Sequence, residues 1–167
     1  MSHIFEDVGP LVMLVEDDPT IGQRYRVGLE NDGFRVALLS DESALFRAID
    51  VDIPDVAVLD FQLQSVISAT DIIVNLRLYE RLADVPVFVL SNHRGDIDGQ
   101  RERAVEAGAT AWLVKGDTSP GHLAAHINEM LSSQAVAVDS AAVSKGIRPI
   151  KGSAGLRTSW RRPCCRS

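Results

Sequence analysis

Five short apolar runs recur along the chain: LVMLV (11–15), VALL (36–39), VAVLD (56–60), VFVL (87–90) and AWLV (111–114). Each is of strand length, several are rich in valine, and each is apolar at successive positions instead of alternate ones. A strand with one wet face alternates apolar and polar side chains, whereas a strand covered on both faces has no reason to. The runs therefore require a sheet sandwiched between two layers, and the segments between them must supply those layers.

Those segments carry helical signals. After Pro19, Ile21, Tyr25 and Leu29 recur every fourth residue and NDG (31–33) supplies a stop. Ser40 is expected to cap a second helix with Asp41 and Glu42 in its first turn and Leu45, Ala48 and Ile49 on one face. Ile72, Ile73 and Leu76 line a third helix, and Arg101 to Ala107, closed by Gly108, forms a fourth. Leu123, Ile127, Met130 and Leu131 line a fifth, which starts near the Ser119-Pro120 pair. Five β-α units with short right-handed connections make an α/β fold, a doubly wound five-stranded parallel sheet. In such sheets ligands sit beyond the carboxyl ends of the strands.

Charge and punctuation set the outer limits. Residues 1–9 read as an N-terminal extension and 10–135 as the folded domain. From 136 to 167 the apolar periodicity fails and a basic, disordered tail is expected. That tail holds Lys145, Arg148, Lys151, Arg157, Arg161, Arg162 and Arg166 against Asp139, so the body is far more acidic than the overall charge of −6. An acidic body lacks the basic face that phosphate backbones need, and the tail is too short for a helix-turn-helix output domain, so no direct DNA binding is expected. No apolar run approaches the roughly 20 residues of a membrane span, and no basic segment precedes an apolar one at the N-terminus; a soluble, cytoplasmic chain is expected. His122 and His126 have metal-ligand spacing but no third ligand nearby and read as surface residues; Cys164-Cys165 is too short for a zinc motif.

The ends of the apolar runs carry the chemistry. The first runs into Glu16, Asp17 and Asp18, the third ends in Asp60, the fourth is followed by Ser91 and the fifth by Lys115. Three convergent carboxylates form a hard-oxygen cage suited to Mg²⁺, which keeps waters and a phosphate oxygen. A lysine opposite them can pair with a bound anion, and a serine hydroxyl can donate to it. The chemistry suggested is phosphoryl transfer onto a carboxylate.

EDD after the first run, VLD at the third, LS at the fourth and LVK at the fifth resemble the receiver domain of two-component response regulators, over roughly residues 10–133. The spacings agree as a set: 43 residues from Asp17 to Asp60, 31 to Ser91 and 24 to Lys115. ADVPVFVLS and AVEAGATAWLVK are similar to the family as well. The resemblance implies the flavodoxin-like (β/α)5 fold with strand order 2-1-3-4-5. It implies that Asp60 accepts a phosphoryl group from a histidine kinase or phosphotransfer protein, that Asp17 binds Mg²⁺ directly and Glu16 through water, and that Asp60 and the backbone carbonyl of Gln62 join them. Ser91 would be the switch hydroxyl, Lys115 would pair with the phosphoryl group, and Trp112 would be the aromatic that changes rotamer. It further implies output through the face of the fourth helix, fifth strand and fifth helix, which in the family is also the common surface of homodimers.

Four places depart from the family pattern at the loops: Gln64 and Gly116 where prolines are common, Asn92 where a small residue is expected, and the stretch SVISAT, where Ser68 or Ala69 stands in place of a glycine. They leave an alternative open, a receiver-fold interaction module that signals without phosphorylation. An enzyme of the aspartate-based phosphohydrolase type is disfavoured, since Gln62 stands where its second carboxylate would be, and dinucleotide binding lacks a glycine-rich loop after the first strand. The expected activity is stoichiometric phosphoryl acceptance, without multiple turnover.

Overall fold

The computed structural model describes residues 9–65, 67–96 and 98–144, with side chains as far as 135. Strands β1 (Leu11–Val15), β2 (Arg35–Leu39), β3 (Val56–Asp60), β4 (Val87–Ser91) and β5 (Ala111–Val114) alternate with helices α1 (Pro19–Asn31), α2 (Glu42–Val51), α3 (Ala69–Leu78), α4 (Gln100–Glu106) and α5 (Pro120–Ser144). A single 3₁₀ turn, Glu80–Leu82, follows α3. All strands pair in parallel in the order β2-β1-β3-β4-β5, the flavodoxin-like arrangement.

The unbroken apolar runs are explained by the sheet's two cores. Met13, Val15, Ala57, Leu59, Val87 and Val89 point to the face covered by Leu45 and Ile49 of α2, Ile72, Ile73 and Leu76 of α3 and Ala104 of α4. The alternate residues Val12, Leu14, Val56, Val58, Phe88 and Leu90 face Tyr25 and Leu29 of α1 and Leu123, Ala124 and Ile127 of α5. Every residue of β1, β3 and β4 is buried, while β2 and β5, each with one neighbour, are half-buried throughout.

Helix starts follow short polar side chains. Asp18 caps α1, accepting from Thr20 N at 2.8 Å and Ile21 N at 3.1 Å. Ser68 and Asp71 exchange bonds in a capping box at α3, and Ser119 Oγ accepts from His122 N at the start of α5. The expected cap of α2 is corrected: Asp41, not Ser40, accepts from Ala44 N at 2.7 Å, and the Ser40 hydroxyl donates to Asp41. A carboxylate is the stronger acceptor, so the helix starts one residue later and Ser40 supports its cap.

Helix α5 continues past the expected domain boundary at 135, to Ser144. The stretch VAVDSAAVS has no apolar stripe, but its alanines are strong helix formers and extending an existing helix avoids the cost of nucleation. The chain divides after Leu131 into two units; the first holds the sheet and its cores, and the described part of the second, 132–144, is helical. Most of the N-terminal extension, the basic residues from Lys145 onward and Cys164-Cys165 lie outside the described residues. Among the described residues no helix is long and apolar enough to cross a membrane, and His122 and His126 are exposed.

Candidate functional site

Strand register decides which side chains meet. Val15 pairs with Leu59, Asp60 with Leu90 and Ser91 with Val114, so Glu16, Asp60, Ser91 and Lys115 leave neighbouring strands at nearly one level. The backbone continues that level past the strands: Glu16 N donates to Leu39 O at 3.0 Å and Lys115 N to Ser91 O at 2.8 Å.

Lys115 is the centre of the arrangement. Its Nζ lies 2.6 Å from Glu16 Oε2 and 3.1 Å from Asp60 Oδ2, with side-chain exposures of 8% for the lysine, 1% for the glutamate and 4% for the aspartate. Burial holds the Glu16 carboxyl above its ordinary range, with the Asp60 charge adding to the rise and the Lys115 bond opposing it. Burial would lower the Lys115 ammonium, but the Glu16 hydrogen bond and the charges of Asp60 and Glu16 outweigh it, so the net shift is upward. The charged form of Lys115 is therefore favoured at the centre of the site.

Glu16, Asp17 and Asp60 can each offer a carboxylate oxygen within 4.8 Å of the others. One ammonium against three carboxylates leaves two negative charges unbalanced, and a divalent cation with oxygen preference matches both that charge and the donor set. The residues present therefore fit Mg²⁺. Asp17 is held by Gln64 N at 3.2 Å and Asp60 Oδ1 accepts from Gln62 N at 3.0 Å, which orients two of the three carboxylates. These groups, with Asp18, Pro19, Ile21, Gln62, Asn92 and Lys115, line a cleft of about 390 Å³.

Two expected residues lie apart from the cleft. Ser91 is fully buried, and its Oγ accepts from His93 N at 3.1 Å. Trp112 packs on Phe61, the residue after Asp60, with ring centroids 4.7 Å apart. Three contacts escaped the sequence reading. Gln64 N reaches Asp17 because a residue other than proline stands there, a signal present in the sequence but visible only as a departure. Asn92 Nδ2 donates to Gln62 Oε1 at 2.6 Å, and Gln62 Nε2 meets His93 Nε2 at 2.9 Å, tying the β3–α3 and β4–α4 loops together across the cleft mouth. No periodicity announces such a bridge.

The family model of the response regulator receiver domain matches residues 12–142. Among sequence relatives, the transcriptional regulatory protein CseB of Streptomyces coelicolor is 33% identical over 62% of this chain and 42% of its own length. The C4-dicarboxylate transport transcriptional regulatory protein DctD of Pseudomonas aeruginosa is 34% identical over 65% of this chain and 22% of its own length. The chain thus spans less than half of either. In fold it is similar to the chemotaxis response regulator CheY4 of Vibrio cholerae, with a TM-score of 0.66, 21% identity and coverage of 72% and 98% of the two chains. It is also similar to the receiver domain of the sensor histidine kinase PA1611 of Pseudomonas aeruginosa, solved with a magnesium ion in its active-site cleft (TM-score 0.65, 24% identity, coverage 74% and 98%).

Proposed function

Because the chain belongs to the response regulator receiver family, the phosphorylatable switches of two-component systems, we propose that Asp60 accepts a phosphoryl group from a histidine kinase or phosphotransfer protein and that the acquired charge alters partner binding. The observation that carries this reading is the Lys115 ammonium shared between Glu16 and Asp60 at 2.6 and 3.1 Å in an acidic cleft at the strand ends.

An Asp60 carboxylate oxygen attacks the phosphorus of phosphohistidine, the P–N bond breaks, and the departing imidazole is reprotonated from solvent, leaving an acyl phosphate on Asp60. Gln62 N, bonded to Asp60 Oδ1, holds one carboxylate oxygen and directs the other toward the cleft. Glu16, Asp17 and Asp60, with the backbone carbonyl of Gln62, would hold Mg²⁺, which when bound supplies positive charge for the phosphoryl oxygens. Lys115 Nζ, already 3.1 Å from Asp60, pairs with the phosphoryl group. Ser91 Oγ accepts from His93 N and so keeps its own proton to donate. Donation to the phosphoryl group draws the β4–α4 loop inward, and Trp112, packed against Phe61, responds to that movement. Output passes through the face of α4, β5 and α5, to a target protein or a second copy. The test is treatment with acetyl phosphate and Mg²⁺: one phosphoryl group should be added to the wild type and none to Asp60→Asn. A wild type that labels with neither acetyl phosphate nor a competent kinase refutes the reading.

A second reading, an interaction module independent of phosphate, is favoured by the 2.6 Å bond between Asn92 and Gln62, since both residues line the cleft and are engaged with each other. Trp112 fluorescence, with Trp160 replaced by Phe, separates the two. A flat response to Mg²⁺ plus beryllium trifluoride, a phosphoryl mimic, favours the module.

A further inference from the structure

We propose that Tyr25 is a positioning residue that holds the loop bearing Lys115 in place for phosphoryl capture; the proposal rests on the phosphoryl-accepting reading above. Tyr25 sits on the inner face of α1, 3% exposed, among Val12, Leu14, Leu29 and Leu123. A phenol buried there needs a partner for its hydroxyl, and it finds one 93 residues away, donating to Thr118 O at 2.7 Å. Thr118 is itself buried, in the turn between Lys115 and α5.

Other bonds hold that turn at its ends and across its middle, where Asp117 N donates to Val114 O at 3.0 Å. Lys115 N is tied to Ser91 O at one end, and the Ser119 cap fixes the start of α5 at the other. Between them lies Gly116, where an added Cβ would meet nothing within 4 Å, so no side chain adds to the backbone closure there. Arg94 reaches Asp117 at 2.6 Å, but the two side chains are 76% and 53% exposed, and an exposed ion pair restrains little. The Asp117–Val114 bond closes the turn locally, and the buried bond from Tyr25 adds the tie that fixes its far end, at Thr118, to α1. One turn further on, the same helix abuts α5, where a Cβ on Gly28 would stand only 2.2 Å from Pro120 Cβ. Helix α1 thus braces the turn at Thr118 and at Pro120, and through it sets where the Lys115 ammonium stands relative to Glu16 and Asp60. A displacement near 1 Å at such a group is enough to slow chemistry markedly.

The experiment compares the full wild-type chain with Tyr25→Phe, which keeps the ring and removes the hydroxyl, and with Tyr25→Phe/Gly116→Ala, which restores backbone stiffness by another route. Amide exchange at Gly116 to Thr118 should be about ten-fold faster in Tyr25→Phe and phosphorylation by phosphoramidate about five-fold slower, the scale of one net hydrogen bond. Mg²⁺ affinity should not fall, and Gly116→Ala should recover most of the lost rate in the Tyr25→Phe background. The proposal is overturned if Tyr25→Phe keeps wild-type exchange and rate, or if rate and Mg²⁺ affinity fall together and Gly116→Ala rescues neither. A wild type that accepts no phosphoryl group instead overturns the Asp60 reading, and the exchange rates still decide whether Tyr25 holds the loop.

Discussion

Replacing Lys115 with methionine removes the internal cation of the site while keeping much of the side chain's length and apolar stem. Three carboxylates whose oxygens can approach within 4.8 Å then face one another alone. At an effective dielectric of about 20 each pair at that distance repels by about 3 kcal/mol. Breaking a buried ion pair by removing one partner typically costs about 3–5 kcal/mol. The variant has an escape, since Glu16 already holds its proton above the usual range and will take one up more readily without Lys115. We therefore expect a loss near the lower figure, about 3 kcal/mol at neutral pH without divalent metal, which for a domain of this size lowers Tm by about 10 °C.

Two further signs follow from the same geometry. Mg²⁺ at a hundred times its Kd stabilises a protein by about 2.7 kcal/mol, so saturating Mg²⁺ should return most of the deficit. The variant should also bind Mg²⁺ more tightly than wild type, because no ammonium competes for Glu16 and Asp60. The pH dependence runs the same way. A Glu16 carboxyl whose folded pKa lies above 4.5 binds its proton more tightly folded than unfolded, so its contribution is fully present below 4.5 and is lost as pH rises through the folded value. The deficit of Lys115→Met should therefore shrink on acidification. Thermal melts in EDTA, in Mg²⁺ and across pH check all three. A variant as stable as wild type in EDTA at neutral pH, or a deficit indifferent to Mg²⁺ and acid, refutes the assignment of Lys115 as counter-ion.

Asp18→Ala should cost about 1 kcal/mol by uncapping α1, as seen in urea unfolding, with little change in Mg²⁺ affinity, because its carboxylate is engaged with Thr20 N and Ile21 N. Asp41→Ala should lose a similar amount at α2 and Ser40→Ala distinctly less, a comparison that checks which residue is the cap. Gly28→Ala should destabilise by about 1–3 kcal/mol through overpacking, since its Cβ would fall 2.2 Å from Pro120 Cβ.

What the sequence could convey depended on whether the backbone or a rotamer decided the outcome. Asp60, Ser91 and Lys115 could be placed because the apolar runs end where the strands end, and parallel strands in one sheet share a direction; once the sheet is doubly wound, their termini must converge. Helices α1 and α3 were legible for the same reason, their buried residues repeating at helical spacing. Helix α5 was legible only as far as its apolar stripe, and its continuation through VAVDSAAVS rests on alanine propensity, which leaves no periodic mark.

Side-chain direction within the site lay beyond that reach. Ser91 ends β4 as expected, yet its Oγ takes the N–H of His93, a choice made by the path of the β4–α4 loop and not by position along the strand. Gln64 registered in the sequence only as a missing proline. In the folded chain the amide hydrogen that a proline would lack holds Asp17 at 3.2 Å, so the departure contributes an anchor to the carboxylate cluster. Gly116 registered in the same way, and two residues beyond it Tyr25 O–H donates to Thr118 O from α1, a contact 93 residues distant in the chain. Each of these residues is ambiguous alone, because its effect depends on a partner tens of residues distant. The constellation of charged strand ends is legible because topology brings it together; the loops that tune it acquire meaning only from the contacts they make across the sheet.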